Sequence, residues 1–226
     1  TTKVSDFVDE YNDLSLFLRE QLALDTETEE TGVLFGNFAV QNLQQILRSS
    51  ISNEVTGVSG DCSCLSQIGI TTQPDGTLIL DTDKLSDALV SDIKNVSQLF
   101  SSSGITTNSS VAFVGFTRDT QPGSYEVKRL DGLTQLSNSG ASTFVNASGS
   151  GNFWAGSSGD STGLNFRLGN LNNGSYGHIT LGIGVAEILN RQLENLVDSS
   201  LNGPLVTELD TIKETVDDFN VTLLDQ

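Results

Sequence analysis

The stretch QIGITTQPDGTLILDTDKLSDAL, residues 67–89, sets down two structural elements in succession. Ile68 and Ile70, then Leu78 and Leu80, alternate with polar residues, the two-residue period of half-buried strands. Between them Pro74-Asp75-Gly76 is turn chemistry: proline fixes φ, aspartate bonds its own backbone and glycine accepts positive φ. The reading is a β-hairpin over 67–81. Asp81 then stands where a helix N-cap belongs, and Asp83 falls in the first turn, where a negative charge suits the helix dipole. Leu85, Ala88 and Leu89 give that helix its apolar face. An Asp-x-Asp pair also opens calcium loops, but an EF-hand needs further oxygen ligands and a bidentate Glu at its twelfth position, so Asp81 reads as a cap. The stretch is architecture, with no catalytic side chain in it.

Helical spacing dominates on both sides. Residues 3–24 carry Val4, Phe7, Tyr11, Leu14 and Leu18 at steps of three and four, a packing seam of coiled-coil type. An acidic connector follows, Asp25 to Glu30. A second helix begins near Leu34 with Phe35, Ala39, Leu43, Ile46, Leu47 and Ile51 on one face, and 53–63 reads as loop. Val96, Leu99 and Phe100 close a further short helix. From Ile183 onward Val185, Ala186, Leu189, Leu193, Leu196 and Val197 form another, stopped near Asn202-Gly203-Pro204. Leu205, Leu209, Ile212, Val216, Phe219 and Leu223 then step by four and three in an uninterrupted seam. Val8-Asp9-Glu10-Tyr11-Asn12 echoes Val216-Asp217-Asp218-Phe219-Asn220. The two seams suit each other as an antiparallel pair. A face left under-covered there is expected to be completed in the full-length protein by a segment outside this chain and, in the fragment, to be met by another copy.

Between these helices, from about Gly104 to Leu181, the chain turns rich in Gly, Ser, Asn and Thr. Short β-like runs at 111–116, 123–130, 142–146, 164–168 and 176–181 are separated by turns such as Asp131-Gly132 and Asn173-Gly174. The expected fold class is therefore α+β. Residues 1–104 and 182–226 form a helical leg with coiled-coil or bundle character and the hairpin, and 105–181 an inserted small β-rich module.

The chain has 226 residues and a net charge of −18, from 29 acidic and 11 basic residues. That field repels phosphate backbones, which disfavours nucleic acid as a partner. No apolar run reaches the roughly 20 residues that span a bilayer, and no signal-peptide pattern is present. Position 1 is Thr and the sequence holds no Met, so the expectation is a processed chain or an excised fragment.

Chemistry is sparse. Cys62 and Cys64 are the two cysteines, and they leave three readings open: reduced thiols, a strained two-apart disulfide, or half of a metal site that normally takes four ligands. The one histidine, His178, lies in a strand-like run without a G-x-S-x-G elbow. No P-loop or dinucleotide fingerprint is present. GNLNNG at 169–174 reads as a β-turn rather than a calcium nonapeptide. Phe153 and Trp154 sit in a Gly/Ser-rich context, readable as a sugar-stacking surface or, preferred, as packing under the module. No catalytic, cofactor-binding or metal-ligating residue is assigned, and the chain is expected not to be an enzyme.

Taken in order, VSDFVDEYN at 4–12, GVLFG at 32–36, LSQIGITT at 65–72, DGTLILD at 75–81, Lys84-Leu85, Ala88-Leu89, VSQLF at 96–100 and GVAEIL at 184–189 resemble the bacterial flagellar filament cap family, hook-associated protein 2. The match covers 3–104 and 176–226. The resemblance implies a secreted structural subunit that forms a homo-oligomeric ring at the filament tip, where flagellin is helped to fold and insert for motility. Its implied partners are flagellin and further copies of itself, and its implied place is extracellular. Many members join the Leu-Phe motif to the Gly-Val-Ala helix by a short connection, whereas here 105–181 intervenes. GSYEV at 123–127 is similar to strands of the family's head modules. An alternative from the binding class is a tip adhesin whose β-insert takes a glycan or host surface through Phe153 and Trp154. An enzyme would need a site assembled from His178 and distant carboxylates.

Overall fold

The structure, a computed structural model, describes residues 1–24, 31–138, 143–198 and 203–224, without the side chains of 218–224. The connector Asp25 to Glu30, Asn202 and the side chains of Phe219, Asn220 and Leu223 thus lie outside the described residues. Helix and sheet are both extensive, and the fold is α+β. Two compact units are present: Thr1–Asn53 with Ile68–Asp87 and Ile188–Gln226, and Glu54–Gln67 with Ala88–Glu187. The span 105–181 lies wholly in the second unit, which also takes in 54–67, 88–104 and 182–187.

In the first unit, α1 (Thr2–Leu22) buries Val8, Tyr11, Ser15 and Leu18. Tyr11 and Leu18 belong to the seam read from the sequence, while Val4, Phe7 and Leu14 are half-buried beside it. The buried stripe is rotated because Ser15, a polar residue, occupies its middle. Helix α2 (Phe38–Ser52) starts later than its apolar pattern, because the Asn37 side chain accepts the Val40 N–H at 3.1 Å and fixes the cap. Phe35 is left exposed in the preceding turn. Strands β1 (Ile70–Thr72) and β2 (Leu78–Leu80) form the hairpin, with Ile70 opposite Leu80 and Thr72 opposite Leu78. Ile68 lies in a short 3-10 turn rather than in the strand.

The hairpin leads into α3 (Thr82–Phe100), capped as expected: Asp81 Oδ1 accepts the Lys84 N–H at 2.9 Å. This helix is broken at Asp92 (φ −153°, ψ 83°), whose carboxylate accepts the Asn95 N–H at 2.9 Å and starts the helix again. The expected short helix ending at Phe100 is that second half. Helix α4 (Val185–Val197) ends in the first unit, and α5 (Pro204–Leu224) follows. The contacts of α5 run chiefly to α2, not to α1 as the paired seams suggest. Asn37 Nδ2 donates to Glu208 Oε1 at 2.7 Å. Helix α1 instead packs chiefly on β2 of the hairpin and on α2.

The second unit is built on eight antiparallel strands, β3 (Ser103–Thr106), β4 (Val111–Gly115), β5 (Gly123–Leu130), β6 (Leu133–Asn138), β7 (Val145–Ser150), β8 (Phe153–Gly156), β9 (Asn165–Leu168) and β10 (Gly174–Gly182). Their order across the sheet is β3-β10-β5-β6-β7-β8-β9-β4. Asp131 and Gly132, both at positive φ (49° and 83°), make the two-residue turn from β5 to β6. The sheet curls until its outer strands β3 and β4 meet, with the Phe113 ring laid against Gly104 where any Cβ would collide with it. Inside the curl Tyr125, Val127, Leu136, Leu164, Phe166 and Ile179 are buried.

Candidate functional site

The first unit's polar chemistry is concentrated where α1 holds the hairpin. Asn12, Ser15 and Arg19 lie three and four residues apart, so one side of the helix presents all three. Asn12 Nδ2 donates to the Leu78 carbonyl at 3.0 Å and its Oδ1 accepts the Leu78 N–H at 2.6 Å. One amide thereby satisfies both backbone groups of a strand residue, as a neighbouring strand would. The Ser15 hydroxyl donates to the Gly76 carbonyl at 3.2 Å, and Arg19 pairs with Asp75 at 3.2 Å. From α2, Arg48 Nη2 donates to the Asp75 carbonyl at 3.2 Å.

The turn is built for this grip. Gln73 N–H donates to the Thr77 carbonyl at 2.7 Å, and Gly76 adopts φ 90°. Asp75 accepts from the Thr77 hydroxyl (2.7 Å) and the Thr77 N–H (3.0 Å). Those two bonds, with Arg19 contributing less, hold the Asp75 carboxyl below its ordinary range. On α1 the Tyr11 hydroxyl is buried without a hydrogen-bond partner. Burial pushes its pKa up, partly offset by the charge of Arg48.

A parallel device operates in the second unit. Asn95 accepts the Cys62 N–H and donates to the Cys62 carbonyl, both at 3.0 Å, while Gln98 Oε1 accepts from the N–H and hydroxyl of Ser59, also at 3.0 Å. Cys62 and Cys64 themselves are free, half-buried thiols. Asn12, Ser15, Asn95 and Gln98 were not legible as functional in the sequence. Their one signal is a polar residue on or beside an apolar helical stripe.

The other residues singled out from the sequence are dispersed. On α5, Leu205 is half-buried, and Leu209, Ile212 and Val216 are about half-exposed (50%, 45% and 52%). Phe153 is 61% exposed at the mouth of an open groove of about 540 Å³ that Val114, Phe116, Ser148, Ser150 and Asn165 also line. Trp154 is half-buried, its indole N–H donating to the Gly151 carbonyl at 3.0 Å, and the Arg129 guanidinium lies 5.3 Å from its ring. His178 is half-buried on β10, and its backbone N–H donates to the Thr107 hydroxyl at 2.8 Å. Among the described residues no group of three or more His, Cys, Asp or Glu could hold a metal ion. No described helix is long and apolar enough to cross a membrane.

Known proteins echo the same segments. The profile described as "Flagellar hook-associated protein 2 C-terminus" matches residues 1–222. Flagellar hook-associated protein 2 of Escherichia coli (strain K12) is 36% identical over 118 residues, covering 47% of this chain and 25% of that protein. The B-type flagellar hook-associated protein 2 of Pseudomonas aeruginosa is 37% identical over 103 residues, 43% of this chain and 21% of its own length. The crystal structure of the flagellar cap protein FliD D1-D2-D3 domains from Escherichia coli shares 37% identity over 44% of this chain and 26% of that one, with a TM-score of 0.38. The chain thus spans about a quarter of the length of such relatives. The match runs across both units, from the helix that grips the hairpin to the last helix, and the chain belongs to the flagellar hook-associated protein 2 family, as its C-terminal part.

Proposed function

We propose that this chain is part of a structural subunit of the flagellar filament cap, which forms a ring at the extracellular filament tip and assists flagellin to fold and insert. The family match over residues 1–222 carries the reading. The hairpin clasp supports it, because Asn12 at the end of VSDFVDEYN, with Ser15 and Arg19 beyond it, is spent on holding the DGTLILD segment in place rather than on a reacting centre. In this reading residues 1–104 and 182–226 are the leg, whose seams on α1 and α5 join a coiled-coil bundle, and 105–181 is an inserted head-like module. The antiparallel pairing of Gly104 with Leu181 favours an insertion whose ends are adjacent.

The test is a strain lacking the gene for the full-length protein. Flagellin should escape into the medium as monomer, and purified full-length protein should restore filaments bearing a ring at the tip by electron microscopy. Filaments of normal length without the gene would sink the reading. A second reading, a tip that takes uncharged glycans through Phe153 and Trp154, draws on the exposure of Phe153 beside the Ser148, Ser150 and Asn165 side chains. Glycan-array binding lost in Phe153→Ala is the observation that would favour it.

A further inference from the structure

Both cysteines of the chain lie in one loop of the second unit, and the backbone of that loop is held on either side of them. The amide of the buried Asn95 is spent entirely on Cys62, taking its N–H and giving to its carbonyl at 3.0 Å each. The N–H groups of Ser63 and Cys64 both donate to Gln67 Oε1, at 2.6 and 3.0 Å. The Ser63 carbonyl accepts the Val55 N–H at 2.7 Å, and the Cys64 carbonyl the Gln67 N–H at 3.2 Å. Successive N–H groups that meet on one oxygen curl the chain. In an extended chain, Cα atoms two residues apart stand about 7 Å from each other, at or past the roughly 4.4–6.8 Å that a disulfide spans. The curl shortens that separation into the range of a disulfide. The thiols are free and only half-buried, and Cys64 Sγ lies 3.2 Å from the Ser66 hydroxyl. Cys62 borders a cavity of about 140 Å³ shared with Ala88, Ser91 and Val96 of α3, so its side chain has empty space in which to turn.

We propose that Cys62 and Cys64 are a redox-active pair that exchanges two electrons with small disulfides and thiols of the glutathione class. One cysteine, as thiolate, attacks a sulfur of the oxidised partner; a mixed disulfide forms and the first partner thiolate leaves. The other cysteine, as thiolate, then attacks the protein sulfur of that mixed bond, expels the second partner thiolate and closes the Cys62–Cys64 bond. The pair gives up two electrons and two protons, and one small disulfide becomes two thiols. A ring closed over the single residue Ser63 is strained, and strained disulfides are the readily reduced, exchanging kind rather than the structural kind. Asn95 and Gln67 are positioning residues, which keep the loop curled so that the second thiol reaches the mixed bond before another small thiol does. The inference rests on this loop alone and stands whether or not the cap reading holds.

The test incubates the 226-residue chain with oxidised glutathione, quenches in acid and reads the intact mass. The expected product has lost two hydrogens and carries no glutathione, and excess reduced glutathione returns it to the dithiol. Cys62→Ser and Cys64→Ser should each stop at the singly glutathionylated protein. Asn95→Ala and, separately, Gln67→Ala should slow ring closure at least about tenfold, because the second thiol is no longer oriented, and let the mixed disulfide accumulate. Alkylation of the reduced variants by iodoacetamide should keep the parent's rate, which a merely loosened loop would raise. A chain that stays reduced in oxidised glutathione, a doubly glutathionylated product, a dimer joined through sulfur, or a disulfide that excess reduced glutathione leaves intact overturns the proposal. Ring closure at the parent's rate in both amide variants overturns the role given to Asn95 and Gln67.

Discussion

Replacing Asn12 by Ala tests the clasp most directly. The substitution removes the donor to the Leu78 carbonyl and the acceptor for the Leu78 N–H together. Each orphaned group costs about 1–3 kcal/mol if water cannot replace its partner. The site is only part-buried, so water reaches it after truncation and the lower end of that range applies, about 2–3 kcal/mol for the pair. Urea unfolding followed by circular dichroism measures the loss, and hydrogen exchange at the Leu78 amide localises it. Asn12→Asp keeps the acceptor but points a charged oxygen at the Leu78 carbonyl, so it should destabilise at neutral pH at least as much as Ala. Its deficit should narrow under acid, where the protonated carboxyl can donate. If Asn12→Ala unfolds at the parent's urea midpoint and Leu78 exchanges no faster, the amide does not hold the hairpin.

Gly76→Val should cost about 1–3 kcal/mol, the range for a side chain forced to positive φ, since Gly76 sits at φ 90° and a Cβ there lies 2.5 Å from Arg48 Nη2; an unchanged melting temperature would show the turn relaxes freely. Leu209→Ala and Val216→Ala should each shift stability of the isolated chain by no more than about 0.5 kcal/mol, as for exposed positions, because both side chains are half-exposed; a cost of several times that would place them in a buried seam. The Tyr125 hydroxyl, bonded to the carbonyls of Gln121 (2.6 Å) and Asp160 (2.9 Å), is pushed up to about 12 by burial and, second, by the Asp160 charge. A raised folded-state pKa gives stability that is full below the unfolded value of about 10 and is lost as pH climbs through the folded one. The sheet unit should therefore weaken between about pH 10 and about pH 12, and Tyr125→Phe should flatten that alkaline limb in a pH series of melting curves.

The hairpin, its turn and the Asp81 cap were legible because each rests on local chemistry confined to a few residues. Strand β5 was equally plain, with Tyr125 and Val127 buried in alternation. Strands β3, β6 and β8 were not, since SGIT, LTQLSN and FWAG carry short or mixed patterns whose strand character comes from neighbours on either side. The start of α2 was misplaced because Phe35 looks apolar enough to be helical, while Asn37, a capping side chain, decides the boundary. The buried face of α1 was turned by one position because Ser15 does not count as apolar, yet its hydroxyl is consumed by the Gly76 carbonyl. The clasp itself was invisible: Asn12 and Leu78 are 66 residues apart, and no spacing rule connects them.

The way the eight strands close on themselves has a consequence for the company such a protein keeps. An open sheet ends in two rows of unpaired amides and carbonyls, each a template on which a foreign extended chain can add a strand. Here the Phe113 ring lies over Gly104 and the two terminal strands face each other. A passing unfolded polypeptide therefore meets terminal strands that face each other rather than lie open. Any side chain larger than hydrogen at 104 would push the ring away, so glycine there guards against misassembly as much as it permits packing.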